Sequence, residues 1–204
     1  SGSCGAYNAA LPNWLLAPTL PITVGGFTPG LWRGTTSTDW FDCKNWDDAT
    51  VPVTTTNVRV DETAGFHCVV GVTPGGNAVC ASVVQTNSGS PKNITVQSSS
   101  SLAVGGPITM QRTSNGGAIF LTVLTGSTLS ATNLTVQGTL PNEAWFRNED
   151  PLNTVTLSGD LFIGTGGVVD LQAAAVGGRI FIGGNYTDLG PNELNLAETN
   201  GTII

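Results

Sequence analysis

"STLSATNLTVQGTL", residues 127–140, and "NTVTLSGDLFIGTGGVVDL", residues 153–171, carry the same phrase. Three or four residues alternate apolar with small polar side chains, and then Gly, Asn or Ser breaks the run. Alternation at period two marks a strand with one buried face. "NITVQSSSSLAVGGPITM" from Asn93 and "GGRIFIGGNYTDL" from Gly177 repeat the phrase. The strands Leu134–Val136, Leu161–Ile163 and Ile180–Ile182 begin 27 and 19 residues apart. That is close to a solenoid rung of about 20 residues with insertions.

A single rung of this kind cannot bury its apolar side, whereas a stack of rungs can. The predicted fold is therefore all-β: a right-handed parallel β-solenoid or β-helix-like stack. One side chain in two points inward, giving a narrow core of Leu102, Val104, Ile108, Leu129, Leu134, Val136, Leu161, Ile163, Val168, Ile180 and Ile182. The alternative is a β-sandwich, because period two alone does not separate parallel from antiparallel pairing.

Composition agrees with an all-β chain. Of 204 residues only 10% are charged, and 27 are Gly. Amphipathic helices need charge on their wet face, and little is on offer. The net charge of −7 and the scatter of the seven basic residues argue against a nucleic-acid partner, which wants clustered Lys and Arg. No apolar run approaches the ~20 residues of a membrane-spanning helix, so no membrane insertion is expected. Residues 1–30 read as an irregular lead-in, broken by prolines at 12, 18, 21 and 29. Residues 31–56 form a Trp-rich segment, and the β-repeats run from 57 to 204. The chain closes on "GTII", the beginning of another strand, so a natural polypeptide continuing past Ile204 is expected.

The four cysteines Cys4, Cys43, Cys68 and Cys80 contain no CxxC pair, and His67 is the one histidine. A zinc site is not indicated. Two disulfides in an oxidising compartment are favoured over free buried thiols; three connectivities are open, and the short loop favours Cys68 with Cys80, leaving Cys4 with Cys43. The N-x-S/T sequons at Asn93, Asn133, Asn185 and Asn200 matter only in a host that glycosylates them.

"LWRGTTSTDWFDCKNWDDATVP", residues 31–52, stands apart. Trp32, Trp40 and Trp46 with Asp39 and Asp42 admit a binding reading. The rings would form a sugar platform and the acids would hold Ca²⁺, although EF-hand spacing is absent. A catalytic reading is poor. Four aspartates crowd into ten residues with no Glu or His beside them, and there is no GxSxG, HExxH or phosphate loop. The structural reading is favoured: tryptophans cover the open end of the first rung. Asp39 and Asn45 tie the loop in Asx turns, and Pro52 leads into the first strand. No catalytic residue, metal ligand or resident cofactor is assigned.

The positions Trp32, Gly34, Asp39, Trp40, Asn45, Trp46 and Pro52, followed by Asn57, Val58 and Val60, resemble a module of large secreted surface proteins of the Bacteroidetes type. These include adhesins and gliding-motility adhesins exported by type IX secretion. Autotransporter-like β-solenoid passengers carry a related pattern. The resemblance is best over residues 31 to about 110. It implies secretion to the cell surface, with adhesion or scaffolding rather than catalysis. The partners it implies are glycan or other cell-surface ligands, neighbouring copies, or downstream domains including a C-terminal sorting domain. Two other classes remain open: a carbohydrate-binding module, and a polysaccharide-degrading β-helix enzyme using Asp160, Asp170 or Arg179.

Overall fold

The structure is a computed structural model that describes residues 26–72, 75–114, 117–139, 143–148, 150–171, 178–189, 194–195 and 202–204. Most of the predicted lead-in therefore lies outside the described residues. The described residues form six rungs of three strands each. The first rung is β1 (Asn57–Val60), β2 (Cys68–Val70) and β3 (Asn77–Cys80). The second is β4 (Ser82–Asn87), β5 (Ile94–Val96) and β6 (Ser101–Val104). The third is β7 (Ile108–Arg112), β8 (Ile119–Val123) and β9 (Thr128–Ala131). The fourth is β10 (Leu134–Gln137), β11 (Ala144–Asn148) and β12 (Thr154–Leu157). The fifth is β13 (Leu161–Ile163), β14 (Gly167–Asp170) and β15 (Arg179–Ile182). The sixth is β16 (Tyr186–Asp188), β17 (Leu194–Asn195) and β18 (Thr202–Ile203).

Every strand pairs in parallel with the strand three places along the chain, giving three six-stranded sheets. These are the walls of a three-sided β-solenoid, and the sandwich alternative falls with the parallel pairing. Along the first wall the register runs Val58, Val83, Ile108, Leu134, Leu161, Tyr186. Steps on this wall are thus 25–27 residues, longer than the expected 20, and on the other two walls they run from 23 to 27. The 27-residue step from Leu134 to Leu161 is one true rung. Ile180 lies on the third wall instead, over Val155, so the 19-residue step crosses between walls.

The core is one continuous apolar column. Cys68, Ile94, Leu121, Phe146 and Val169 stack inward along the second wall. Ala78, Leu102, Leu129, Val155 and Ile180 do so along the third. Val168 is buried as expected, at 2% exposure, although it pairs with Trp145 on the outer side of the wall; Val169, paired with inward Phe146, joins the central column. Ile182 is only half-buried. The period-two alternation also places polar groups inside: Gln85, Asn87, Arg112 and Asn148 are all fully buried.

Cys68 and Cys80 are free thiols, which corrects the expected pairing. They belong to different walls, Cys68 stacked on Ile94 and Cys80 on Val104, and each serves as a small core residue. Burial pushes the Cys68 thiol well up, and pushes Cys80 to about 12. At neutral pH neither forms the reactive thiolate. Alkylation followed by peptide mapping should leave both unmodified in the native protein and label both after unfolding. Native-state labelling within minutes would show that the first rung opens. The Cys4–Cys43 pairing involves Cys4, outside the described residues.

Candidate binding surface

The Trp-rich stretch forms an incomplete extra rung beneath the first. Leu31 bridges Arg59 of β1, and Asp39 bridges Val69 of β2, both in parallel sense. The Trp32 amide donates to Arg59 O, the Arg59 amide to Gly30 O, the Trp40 amide to Val69 O and the Val69 amide to Thr38 O, all at 2.8–2.9 Å. Strand-edge groups that would face water are thereby paired. Trp46 packs edge-on against Trp32 and Trp40, with ring centroids 5.0 and 4.9 Å away. Its Nε1 donates to Trp40 O at 2.8 Å, and Trp32 Nε1 donates to Phe66 O at 2.9 Å.

Trp32 and Trp40 are 0% exposed and Trp46 is 2% exposed. The rings therefore offer no platform to a sugar, and their binding reading is replaced by the capping one. The cap residues converge on Asn45, which is fully buried. Its Oδ1 accepts from the Thr36 and Ser37 amides, and its Nδ2 donates to Ser37 Oγ and Asp39 O. Gly34 has φ +51 and lies so close to Phe66 that a Cβ would meet the Phe66 backbone at 2.8 Å. Pro52 is buried where the cap enters the first rung.

The acids of this stretch spend their oxygens locally. Asp39 Oδ1 accepts from the Phe41 amide, and Asp42 accepts from the Lys44 amide and Thr36 Oγ1. Asp47 accepts from the Thr28 amide and pairs with Arg33 at 2.9 Å. The Thr36 hydroxyl holds Asp42 below its ordinary value, and the Thr28 amide, then Arg33, do so for Asp47. Such carboxylates are committed to loop donors. Among the described residues no group of three His, Cys, Asp or Glu is placed to share a cation. The candidate enzyme residues do not meet either. Asp160 precedes β13 of the first wall and accepts from the Asn185 amide, whereas Asp170 faces outward on the second wall and Arg179 lies on the third.

The outer walls differ in chemistry. The first carries the column Val84, Thr109, Thr135, Phe162 and Thr187, and the third carries Asn77, Ser101, Thr128 and Thr154. The second wall gathers the aromatic and charged groups. Phe120 and Trp145, half-buried, form one outward column that ends at buried Val168, and Thr95, Thr122, Arg147 and Asp170 form the next. Phe120 and Trp145 have centroids 6.3 Å apart, tilted by 31°. The Arg147 Cζ sits 4.4 Å from the Phe120 centroid and 5.0 Å from that of Trp145. Its Nε is 3.6 Å from Asp170 Oδ2. His67 at the base of this wall accepts from the Asn93 amide through Nδ1, and burial lowers its pKa.

Sequence reasoning missed Phe120, Trp145 and Arg147. A signal was present: Phe120 and Trp145 are separated by one rung, as are Thr122 and Arg147. Only the true rung length turns that spacing into contact. No protein-family model, curated protein or solved structure matches the chain.

Proposed function

We propose that this chain is a non-enzymatic structural and adhesive module of a large bacterial surface protein, exported from the cell. The observation that carries the reading is the capped stack. One apolar core runs without a break from the Trp cap into the fifth rung, reaching Ile180, and parallel hydrogen bonds join each rung to the next. Such a body resists local opening because a rung leaves only by breaking bonds on three walls. Its third wall presents small polar side chains and its second wall an aromatic and charged cluster, surfaces suited to making contacts. The resemblance of the tryptophan and Asn-Trp pattern to that of Bacteroidetes-type surface adhesins supports export, and a Cys4–Cys43 disulfide would fit an oxidising compartment.

The test is localisation together with adhesion. Antibodies against the purified module should label intact source cells, and particles coated with it should be retained on the surfaces those cells colonise. A protein found only inside the cell would overturn the reading.

A further inference from the structure

We infer that the second wall binds the carboxylate of an acidic polysaccharide through Arg147, an inference that rests on the adhesive reading above. Arg147 is held without hydrogen bonds to the described residues. Two aromatic rings, Phe120 and Trp145, restrain it from the side, and Asp170 stands 3.6 Å from Nε. Nε itself is enclosed and has no hydrogen-bond acceptor. The side chain is nevertheless 34% exposed, against 15% for Asp170. An approaching anion meets the cation first.

A planar guanidinium fixed over rings has already lost the freedom that binding would cost. Its fork matches a two-oxygen acceptor, which a carboxylate supplies in bidentate fashion. The surroundings favour a sugar as the bearer of that carboxylate. Thr122 and Thr95 lie directly beneath Arg147 in the same column and offer hydroxyls. The half-buried rings give an apolar edge beside them. The column follows the solenoid axis with successive side chains about 4.8 Å apart, so a sugar whose carboxylate sits on Arg147 lays its neighbouring units over Thr122 and Thr95 and away from Asp170. The chain's net charge of −7 opposes a polyanion at long range. At physiological salt that repulsion is screened beyond about 8 Å, which leaves the local fork in control.

The experiment titrates the native module with a short oligouronate, with its neutral methyl ester, and with an oligoglutamate of equal charge. The Trp145 indole resonance and calorimetry report binding. The oligouronate should bind saturably, with the ester and the oligoglutamate about tenfold weaker, since a charge-assisted bidentate bond is lost with the first and the ring contact with the second. Arg147→Gln should abolish the difference between acid and ester with an unchanged unfolding midpoint. Arg147→Lys, which keeps the charge without the fork, should lose most of the affinity. Acid and ester binding alike, no uronate binding, an Arg147→Gln protein that titrates like the native one, or oligoglutamate binding as tightly as uronate would each overturn the inference. Retention of coated particles by source surfaces despite indifference to uronate would remove this site and leave the adhesive reading standing. Retention by nothing would remove both.

Discussion

Trp46→Ala should lower the stability of the fold by about 4 kcal/mol, within the range for removing a large buried aromatic. Three losses combine. The ring is 2% exposed and fills the space between Trp32 and Trp40, so its removal leaves a cavity beneath the first rung. Two edge-to-face contacts disappear, each worth about 1 kcal/mol beyond burial. Trp40 O, which accepts from Trp46 Nε1 at 2.8 Å, is left inside without that donor. Urea unfolding of the native chain measures the effect as a shifted midpoint at constant slope. Trp145→Ala is the comparison: that ring stands half-buried on an outer wall and its loss should cost far less. A Trp46→Ala protein within about 1 kcal/mol of native stability would show that the cap is dispensable.

The architecture was legible in the period-two runs and in their repetition, because an inward apolar column leaves its mark on every strand. Rung length was not legible, because corners of unequal length separate the strands. Leu161 and Ile180 look like neighbours in a 19-residue repeat although they belong to different walls. The tryptophans carried two meanings in sequence, since a buried cap and an exposed platform use the same residue; only burial separates them. The inward polar residues were hidden for another reason. Gln85 and Arg112 break the apolar alternation, yet both are fully buried, and Gln85 Nε2 reaches Lys92 O and Phe120 O across the corner. The Arg147 cluster required knowing which residues lie one rung apart, and register sets that.

The glycines show the same limit and give the second large effect. Gly-Gly occurs seven times, at 105–106, 166–167 and 183–184 among others, with nothing in the sequence to rank them. The structure does rank them. The corner between the first and second walls spans 88–93, 113–118 and 138–143 in the second to fourth rungs, but only 164–166 in the fifth. So short a corner pulls Gly167 against the previous rung. A Cβ on Gly167 would lie 2.0 Å from Val136 O, which already accepts from the Gly164 amide at 2.9 Å. Backbone on both sides holds that oxygen in place, so a methyl group there forces the fourth and fifth rungs apart. Gly167→Ala should therefore cost about 3 kcal/mol, the upper range for overpacking. Gly105→Ala places its Cβ 3.8 Å from its nearest neighbour, Cys80 O, an ordinary contact. It should change stability by less than about 1 kcal/mol, with a small gain from a stiffer unfolded chain. Parallel urea titrations of the two variants check the pair, and equal effects would mean that the fifth-rung corner has room that this packing denies.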